Sequence, residues 1–170
     1  MLLFNNFDKE QSIFPEIIEV VTDADGNLYQ AVKISIPTWM LENFKTTSFN
    51  DKTPITKYTF EIHGSSWLNL NTRNSMNQWT DTADLNNLYD PELPFNFYGI
   101  MYNHLAIESG KLAPVGWRIP SVQDFRELKN YLYANSFVGE EAITLKTATD
   151  WFESSGKRTN AVVFNGLPNG

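Results

Sequence analysis

The chain of 170 residues contains no cysteine and only two histidines, His63 and His104. Without a thiol it can form neither a disulfide nor a thiolate metal site, and cysteine usage says nothing about its redox compartment. A metal site built on one histidine pair needs about two further ligands, and no sequence pattern supplies them. Metal and thiol chemistry are therefore not expected.

Positive charge is also scarce. Lys and Arg number 13 against 20 Asp and Glu, which gives a net charge of −7 at pH 7. A nucleic-acid-binding protein needs a basic face for the phosphate groups, and an anionic membrane surface attracts basic segments. The acidic balance therefore predicts neither a nucleic-acid partner nor binding to an anionic membrane.

Long apolar runs are missing as well. No run approaches the roughly 18 apolar residues of a transmembrane helix, so no membrane span is predicted. The apolar start, residues 1–4, is followed at once by polar residues, whereas a secretory signal needs a basic start and roughly 7–15 continuous apolar residues. If residue 1 is the encoded start, we expect no export by that route; otherwise a signal was removed with residues upstream.

Aromatic residues, in contrast, are abundant. They make up 14% of the chain and all hydrophobic residues 42%, so a chain of this length can bury a real core in one domain. Residues 1–19 contain Phe4, Phe7 and Phe14 without a regular pattern, which predicts an irregular N-terminal arm that docks on its own domain or on a partner chain. Residues 20–170 are predicted to form the domain.

The clearest local signal predicts a helix that begins after Ser121. Ser121 and Asp124 form a capping-box pattern, although Asp is shorter than the usual Glu. Apolar residues follow at helical spacing, so we expect one face of this helix to pack into the main core together with Trp117. The residues of this face are Phe125, Leu128 and Leu132.

Two strands joined by a tight turn are predicted near the start of the domain. Residues 17–21 and 28–36 have strand patterns, and Asp25-Gly26 between them is a strong hairpin signal. The acidic turn also resembles part of a calcium-binding loop. However, Gly26 stands at the fourth position of that motif instead of the sixth, and no Glu follows at the twelfth. The hairpin turn is the preferred interpretation.

The remaining elements have weaker patterns. Residues 98–107 predict a short helix ended by Gly110, residues 140–147 a short helical turn, and residues 161–164 a short strand. Regular signals fade over residues 63–97, where polar residues are interleaved with aromatics. Long loops of this kind are usually functional or disordered, and the aromatics indicate that this one is ordered.

This central stretch contains the candidate binding residues. Flat aromatic rings stack on sugar faces and side-chain amides bond hydroxyl groups, so the mixture suits a glycan; aromatic residues also anchor protein interfaces. For each residue taken alone, a tryptophan in the core or an asparagine in a turn remains the alternative. The predicted binding residues are Trp67, Asn69, Asn71, Asn74, Asn77, Trp79 and Tyr89.

Catalytic patterns are weak. His104 and Glu108 are four residues apart and can share a helix face, which allows a metal pair or the acid/base pair of a hydrolase. A helix histidine that replaces an aromatic residue explains the same pattern. The sequence contains no Gly-x-Ser-x-Gly elbow and no glycine-rich phosphate loop. No enzyme activity and no cofactor are predicted.

An ordered set of short motifs runs through residues 20–170. It consists of VTDADGNLY (21–29), VKI (32–34), TWMLENFKTT (38–47), NDKTPI (50–55), YGIMYN (98–103), KLAPVGWRIPS (111–121), TN (159–160) and FNGLPNG (164–170). Each motif alone is weak. As an ordered set they resemble the Fibrobacter succinogenes major paralogous domain family, which is common in gut Bacteroidetes and their phages.

The resemblance implies a C-type-lectin-like α+β fold with two short helices, a small twisted antiparallel sheet and long loops. It implies no established enzyme activity, since family members are usually surface or secreted modules suspected of binding and adhesion. Related folds form the variable tips of phage receptor-binding proteins. Formylglycine-generating enzymes also share a related fold, but their copper and thiol chemistry needs the cysteine that this sequence lacks.

The sequence departs from the family pattern at two places. Members of the family continue past the Leu-Pro-x-Gly turn with a Trp-Trp-Ser-Ser segment and a closing strand, whereas this sequence ends at Gly170. The domain then closes differently, is completed by a partner chain, or lacks residues beyond Gly170; an incomplete sheet has an open edge that invites pairing. The second departure is His104, where the family usually has Trp.

These observations predict a non-enzymatic binding or adhesion module that is a structural component of a phage virion, such as a head fibre, a tail fibre or a capsid decoration. The alternative is a bacterial cell-surface or secreted adhesin. The expected partners are a glycan or protein on a cell surface, or other virion proteins, and the chain is expected to oligomerise. The expected location is the virion or the cell surface.

Overall fold

The computed structural model describes residues 17–79, 98–148 and 157–167. These ranges form an α+β fold with two three-stranded sheets, which confirms the predicted class, and they contain four helices where two were predicted. The elements in chain order are β1 (Ile17–Thr22), β2 (Leu28–Lys33), β3 (Thr38–Met40), β4 (Thr56–Lys57), α1 (Phe60–His63), a 3₁₀ turn (Trp67–Asn69), β5 (Met76–Trp79), β6 (Ile100–Tyr102), α2 (His104–Glu108), α3 (Val122–Ala134) and α4 (Glu141–Leu145).

The first sheet contains the predicted hairpin. Its order is β1-β2-β3, and both strand pairs are antiparallel. Asp23 holds the turn, because its Oδ1 accepts the backbone N–H groups of Asp25 (3.0 Å) and Asn27 (2.9 Å). β2 ends at Lys33 instead of residue 36, since Ser35 adopts a left-handed conformation with a φ of 63° and leads the chain back into β3.

Helix α3 packs on the first sheet and begins where the sequence predicted. The Ser121 hydroxyl accepts the Asp124 N–H, and the Asp124 carboxylate accepts the Ser121 N–H (2.6 Å), so the capping box is complete. Buried residues of the helix, the sheet and a C-terminal turn then form one hydrophobic cluster. Its members are Val32, Ile34, Trp39, Leu41, Leu128, Leu132 and Val162.

The predicted apolar face of α3 is correct for its two leucines but not for Phe125. Phe125 is 52% exposed and contacts the ring of Trp39 with centroids 5.5 Å apart. It lies in the first turn of the helix, before the residues that reach the centre of the cluster. Trp117 packs in a separate cluster with Ala31. Since side chains alternate along a strand, Ala31 and Val32 lie on opposite faces, and the sheet is covered on both.

The second sheet includes a strand from the stretch in which regular signals fade. Its order is β4-β5-β6, with β4 parallel to β5 and β5 antiparallel to β6, so the predicted antiparallel sheet does not account for all the pairing. β5 contains two polar residues, Asn77 and Gln78, that are as buried as Met76. No alternation of apolar and polar residues therefore marks this strand in the sequence.

Residues 98–107 do not form one short helix. Ile100–Tyr102 is strand β6, which pairs with β5, and α2 starts only at His104. The change of structure falls at Asn103, whose side chain caps α2 by accepting the N–H of Ala106 (3.1 Å). The predicted end is correct, because Gly110 follows the C-cap residue of α2 with a φ of 69°.

Residues 161–164 form a turn and not the predicted strand. Asn160, Val163 and Asn165 all have positive φ angles, between 48° and 56°, which no strand accommodates. The Asn160 Nδ2 donates to the Asn165 Oδ1 (2.6 Å), and the Asn165 N–H donates to the Asn160 Oδ1 (2.9 Å). This pair of amides closes the turn. The predicted helical turn at 140–147 is confirmed as α4.

The predicted N-terminal arm lies, up to residue 16, outside the described residues, and residues 17–19 belong to β1. The same holds for the Leu-Pro turn from residue 168 onward. Of the helices in the described ranges, none has the length and apolar character that crossing a membrane requires.

Candidate binding site

A cleft of about 500 Å³ opens where the first sheet meets the start of α3. This volume lies within the range of known ligand pockets, roughly 300–1,000 Å³. The cleft brings together β1, the turn between β2 and β3, and the segment that leads into α3. Its lining residues are Glu19, Pro37, Thr38, Trp39, Gly116, Trp117, Arg118, Pro120 and Asp124.

The segment into α3 is held by the buried carboxylate of Asp124. Arg118 donates from Nη1 and Nη2 to the two oxygens of Asp124, both at 2.6 Å. Ser121 adds its backbone N–H and its hydroxyl, each at 2.6 Å from the Asp124 Oδ2. A bidentate pair has a defined geometry as well as charge. The capping box and the ion pair therefore fix one wall of the cleft through a single side chain.

In this wall the positive charge of Arg118 and the negative charge of Asp124 balance each other. The Arg118 guanidinium, followed by the hydrogen bonds from Ser121, holds the pKa of the Asp124 carboxyl far below its usual range. The same contact raises the pKa of Arg118. No ion pair or hydrogen bond to the Glu19 carboxylate is present within the described parts of the chain. Glu19 therefore adds a carboxylate at the β1 side of the cleft that has no partner among the residues the structure describes.

Replacement of Asp124 by Asn should make stability less sensitive to acid. Because the folded state lowers the pKa of this carboxyl, the ion pair stabilises the fold at neutral pH, and this contribution is lost progressively as the pH falls below about 4. The wild type should therefore resist urea better than Asp124→Asn at pH 7, and the difference should shrink between about pH 4 and pH 2.

Urea unfolding followed by circular dichroism measures this difference, with Glu61→Gln as the control because Glu61 is an exposed carboxylate on α1. A difference that stays constant down to the lowest pH would show that the capping geometry, and not the charge, is the source of the stability.

Two tryptophans are among the residues that line the cleft. Trp39 is 6% exposed and packs between the rings of Phe125 and Phe164, each with a centroid distance of 5.5 Å. Its indole N–H is buried and has no hydrogen-bond partner among the described residues, which costs free energy in a folded protein. Trp117 is half-buried. One of the two tryptophans is therefore a core residue, and the other is more open to solvent.

Exposed apolar residues adjoin the cleft. Ile36 (83% exposed) precedes the lining residue Pro37, and Val115 (86% exposed) precedes Gly116. Ile119 lies between two lining residues, and the half-exposed Phe125 follows Asp124. We call Ile36, Val115, Ile119 and Phe125 the apolar rim. Apolar residues that gather at one place on a surface often mark an interaction site.

The predicted binding residues of the central stretch do not line this cleft. Trp67 and Asn69 lie on the 3₁₀ turn, where Trp67 is half-buried edge-on against Tyr58 (5.3 Å) and the Asn69 amide donates to the Ser66 hydroxyl (3.0 Å). Asn71 is exposed. The structure thus places these residues on a separate surface, and their binding role stays a prediction.

The other predicted residues fall on or near β5. Asn77 is 1% exposed and its amide donates to the Ile55 carbonyl (3.1 Å), so it satisfies a buried backbone group, and its binding role stays a prediction. Asn74 is exposed and Trp79 is half-buried at the end of β5. Tyr89 lies outside the described residues.

Two further candidate sites have structural explanations. His104 and Glu108 form an exposed pair on α2 (Nε2 to Oε2, 3.0 Å), with the i,i+4 spacing of a helix-surface pair. The turn Asp23–Asn27 is closed by its own hydrogen bonds, and the Asp23 Oδ2 accepts the Tyr29 hydroxyl (2.6 Å), which confirms the hairpin interpretation. Within the described ranges, no group of three or more acidic or histidine side chains is arranged to hold a metal ion.

The residues of the cleft were missed because the sequence interpretation assigned Trp117 to the core and looked for binding residues in the central stretch. A usable signal was present, since Trp39 and Trp117 belong to two of the motifs that carry the family resemblance, residues 38–47 and 111–121. The structure shows that these two motifs meet at the cleft. Glu19 lies just before the motif region, and no local pattern marks it.

Comparison with family models supports the importance of the two motifs that meet at the cleft. The model described as the Fibrobacter succinogenes major domain matches residues 32–170, which is most of the chain. The matched region includes every lining residue of the cleft except Glu19. Searches of the curated proteins and of the solved structures found no match.

Proposed function

The chain belongs to the Fibrobacter succinogenes major domain family, and from this membership and the cleft we propose that it is a non-enzymatic binding module. The observation that carries the proposal is the open cleft walled by Trp39 and Trp117. Indole rings bind the faces of sugars as well as the side chains of proteins, so the ligand class at this level is a glycan or a protein.

The chemistry of the lining favours binding over catalysis. Arg118 and Asp124 neutralise each other, and a carboxylate kept charged in this way is a poor proton donor at neutral pH. The proline and tryptophan side chains supply shape and apolar area but no nucleophile. Glu19 remains as a single carboxylate, which suits a charged contact with a ligand.

The setting that we propose is a phage virion, with the chain as part of a head fibre, a tail fibre or a capsid decoration. A bacterial surface or secreted adhesin is the second candidate. Both settings require a module that presents a binding face outward, which the exposed cleft and its apolar rim supply. Mass spectrometry of purified phage particles and of washed host envelopes would discriminate between them, because the chain should be enriched in one fraction.

Binding should depend on Trp117 and not on Trp67. We expect Trp117→Ala to weaken binding about tenfold or more, the equivalent of about 1.4 kcal/mol, because it removes an aromatic wall of the cleft. Trp67→Ala should leave affinity unchanged. The measurement is a screen of glycan and peptide arrays with the whole chain, followed by titration of the ligands found.

These two substitutions form a matched pair, since both remove a half-buried tryptophan. Thermal melts of both variants check that they fold. The reverse result, in which Trp67→Ala abolishes binding and Trp117→Ala does not, would move the site to the central stretch.

A hydrolase that uses His104 and Glu108 is the candidate from another class. The pair is exposed on α2 and does not line the cleft. A hydrolytic activity that is lost in His104→Ala and kept in Trp117→Ala would replace the binding proposal with this one.

A further inference from the structure

Glu19 and Trp117 lie on the same face of the first sheet. In the register of the sheet, Glu19 on β1 lies opposite Ala31 on β2, and residues directly opposite one another point to the same face. Trp117 packs against the hydrophobic cluster that contains Ala31, so its indole covers this face as well. Both residues line the cleft. A carboxylate and an aromatic ring are therefore available to one ligand on one face of the sheet.

Glu19 is the carboxylate of the cleft that is open to a ligand. The residue is exposed, and its carboxylate forms no ion pair or hydrogen bond within the described ranges. The other two charged lining residues, Arg118 and Asp124, are bonded to each other. Lys33 lies on the same face as Ala31, two residues further along β2, but it does not line the cleft. The cleft therefore offers one negative charge to a ligand.

The rest of the lining is largely apolar. Pro37, Pro120 and the half-buried Trp117 contribute ring surface. A sugar carries several hydroxyl groups, and few lining side chains remain to bond them once Arg118 and Asp124 have bonded each other. The side chains of Lys and Arg instead combine an apolar stem with a cationic tip. Their chemistry therefore matches apolar surface beside a single available carboxylate.

We propose that the cleft binds a Lys or Arg side chain of a partner protein. The cationic group pairs with the Glu19 carboxylate and lies against the Trp117 ring, whose π face carries partial negative charge and attracts cations. The aliphatic stem packs on the remaining apolar lining. This inference rests on the proposed function and narrows its ligand class from a glycan or a protein to a protein that presents a basic residue.

The surroundings of the cleft also favour a basic protein. Val115 and Ile119 of the apolar rim, on either side of Trp117 in the sequence, offer exposed area for apolar contacts around the basic residue. The net charge of −7 favours the approach of a basic partner over an acidic one. A second copy of this chain carries the same net charge, so charge repulsion opposes it as the occupant.

The first test titrates the isotope-labelled whole chain with single capped residues and follows its indole N–H signals by NMR. The probes are the N-acetyl amides of lysine, of arginine and of norleucine, which has the lysine stem without the charge. We expect the lysine and arginine probes to shift the Trp117 signal, assigned with Trp117→Phe, at millimolar concentration, because one side chain makes few contacts. The norleucine probe should bind at least tenfold more weakly.

The second test removes the charge of the site. Glu19→Gln should weaken binding of the lysine probe at least tenfold, because it keeps the shape of residue 19 and loses the negative charge. Glu61→Gln is the matched control, since Glu61 is also an exposed carboxylate but lies on α1, and it should bind like the wild type. Thermal melts check that both variants fold. Equal binding by the wild type and Glu19→Gln, or equal binding of the lysine and norleucine probes, would overturn the inference.

The remaining outcomes separate this inference from the proposed function. If glucosamine binds more tightly than either amino-acid probe and depends on Glu19, the cation belongs to a glycan and the protein partner is wrong. If the lysine probe binds only after Lys9→Gln, a lysine of the chain itself occupies the site, which also overturns the partner. If no probe binds while an uncharged ligand from the arrays depends on Trp117, the cation site is wrong and the binding module stands. Failure of every probe and of both arrays would overturn both proposals.

Discussion

Gly99→Ala is expected to lower the free energy of unfolding by about 2–5 kcal/mol. A Cβ atom at this position would lie 2.8 Å from the Asn43 Cβ and 2.9 Å from the Phe44 carbonyl oxygen. Gly99 also has a φ of 79°, in the region that disfavours an L side chain. Overpacking and backbone strain therefore act at the same residue.

The neighbours of Gly99 cannot move away cheaply. The Asn43 amide donates to the Tyr98 carbonyl (3.1 Å), and the Ile100 N–H donates to the Phe44 carbonyl (3.0 Å). These two bonds on either side of Gly99 hold β6 against the segment after β3. A displacement of a few tenths of an ångström would weaken both bonds and disturb the pairing of β6 with β5.

Gly110→Ala is the matched control for Gly99→Ala. Gly110 has a similar φ of 69°, but a Cβ there would meet no atom within 4 Å. It should therefore show the backbone strain alone, about 1 kcal/mol. Urea unfolding of the two variants separates the cost of backbone strain from the cost of overpacking at Gly99. Equal losses in both would mean that the close approach at Gly99 contributes nothing.

Asn103→Ala should destabilise the chain by about 2–4 kcal/mol, because Asn103 joins β5 to α2 through four polar contacts. Its Oδ1 accepts the Met76 N–H (2.9 Å) and the Ala106 N–H (3.1 Å), and its Nδ2 donates to the Asn74 carbonyl (2.9 Å). Its backbone N–H donates to the Met76 carbonyl (3.1 Å) and survives the substitution. The loss therefore combines a helix cap with one bond to β5 and one bond to Asn74, just before β5.

Asn103→Asp separates these contributions. The carboxylate still accepts from Met76 and from Ala106, but it cannot donate to the Asn74 carbonyl and faces it with like partial charge. We expect its loss to be about half that of Asn103→Ala or less. Asn71→Ala, an exposed residue on the same stretch, should change stability by less than about 0.5 kcal/mol. A loss at Asn103→Ala no larger than at Asn71→Ala would refute the role of Asn103 as a junction.

Short-range signals in the sequence were sufficient to predict several elements of the fold. The capping box at Ser121 and Asp124 predicted the start of α3, the Asp-Gly turn predicted the hairpin, and Gly110 predicted the end of α2. In each case the interacting groups lie within a few residues of one another. Local geometry then determines the structure with little influence from the rest of the chain.

Long-range strand pairing explains why the sequence analysis did not predict β5 and β6. β5 and β6 are short strands that exist because they pair with each other, and β5 also pairs with β4. The polar residues of β5 concealed this strand in the sequence, since Asn77 is buried with its amide donating to the Ile55 carbonyl. A buried amide cannot be distinguished from a surface amide in the sequence, so the same residue was predicted to bind a ligand.

By itself, the sequence determined the α+β class, the family and the elements with local caps and turns, because these depend on composition, on ordered motifs and on contacts within a few residues. Only the tertiary structure decided that Glu19, Trp39 and Trp117 meet at one cleft. Trp117 is far from the other two in the chain. Their meeting depends on how α3 packs on the first sheet, which no local pattern specifies.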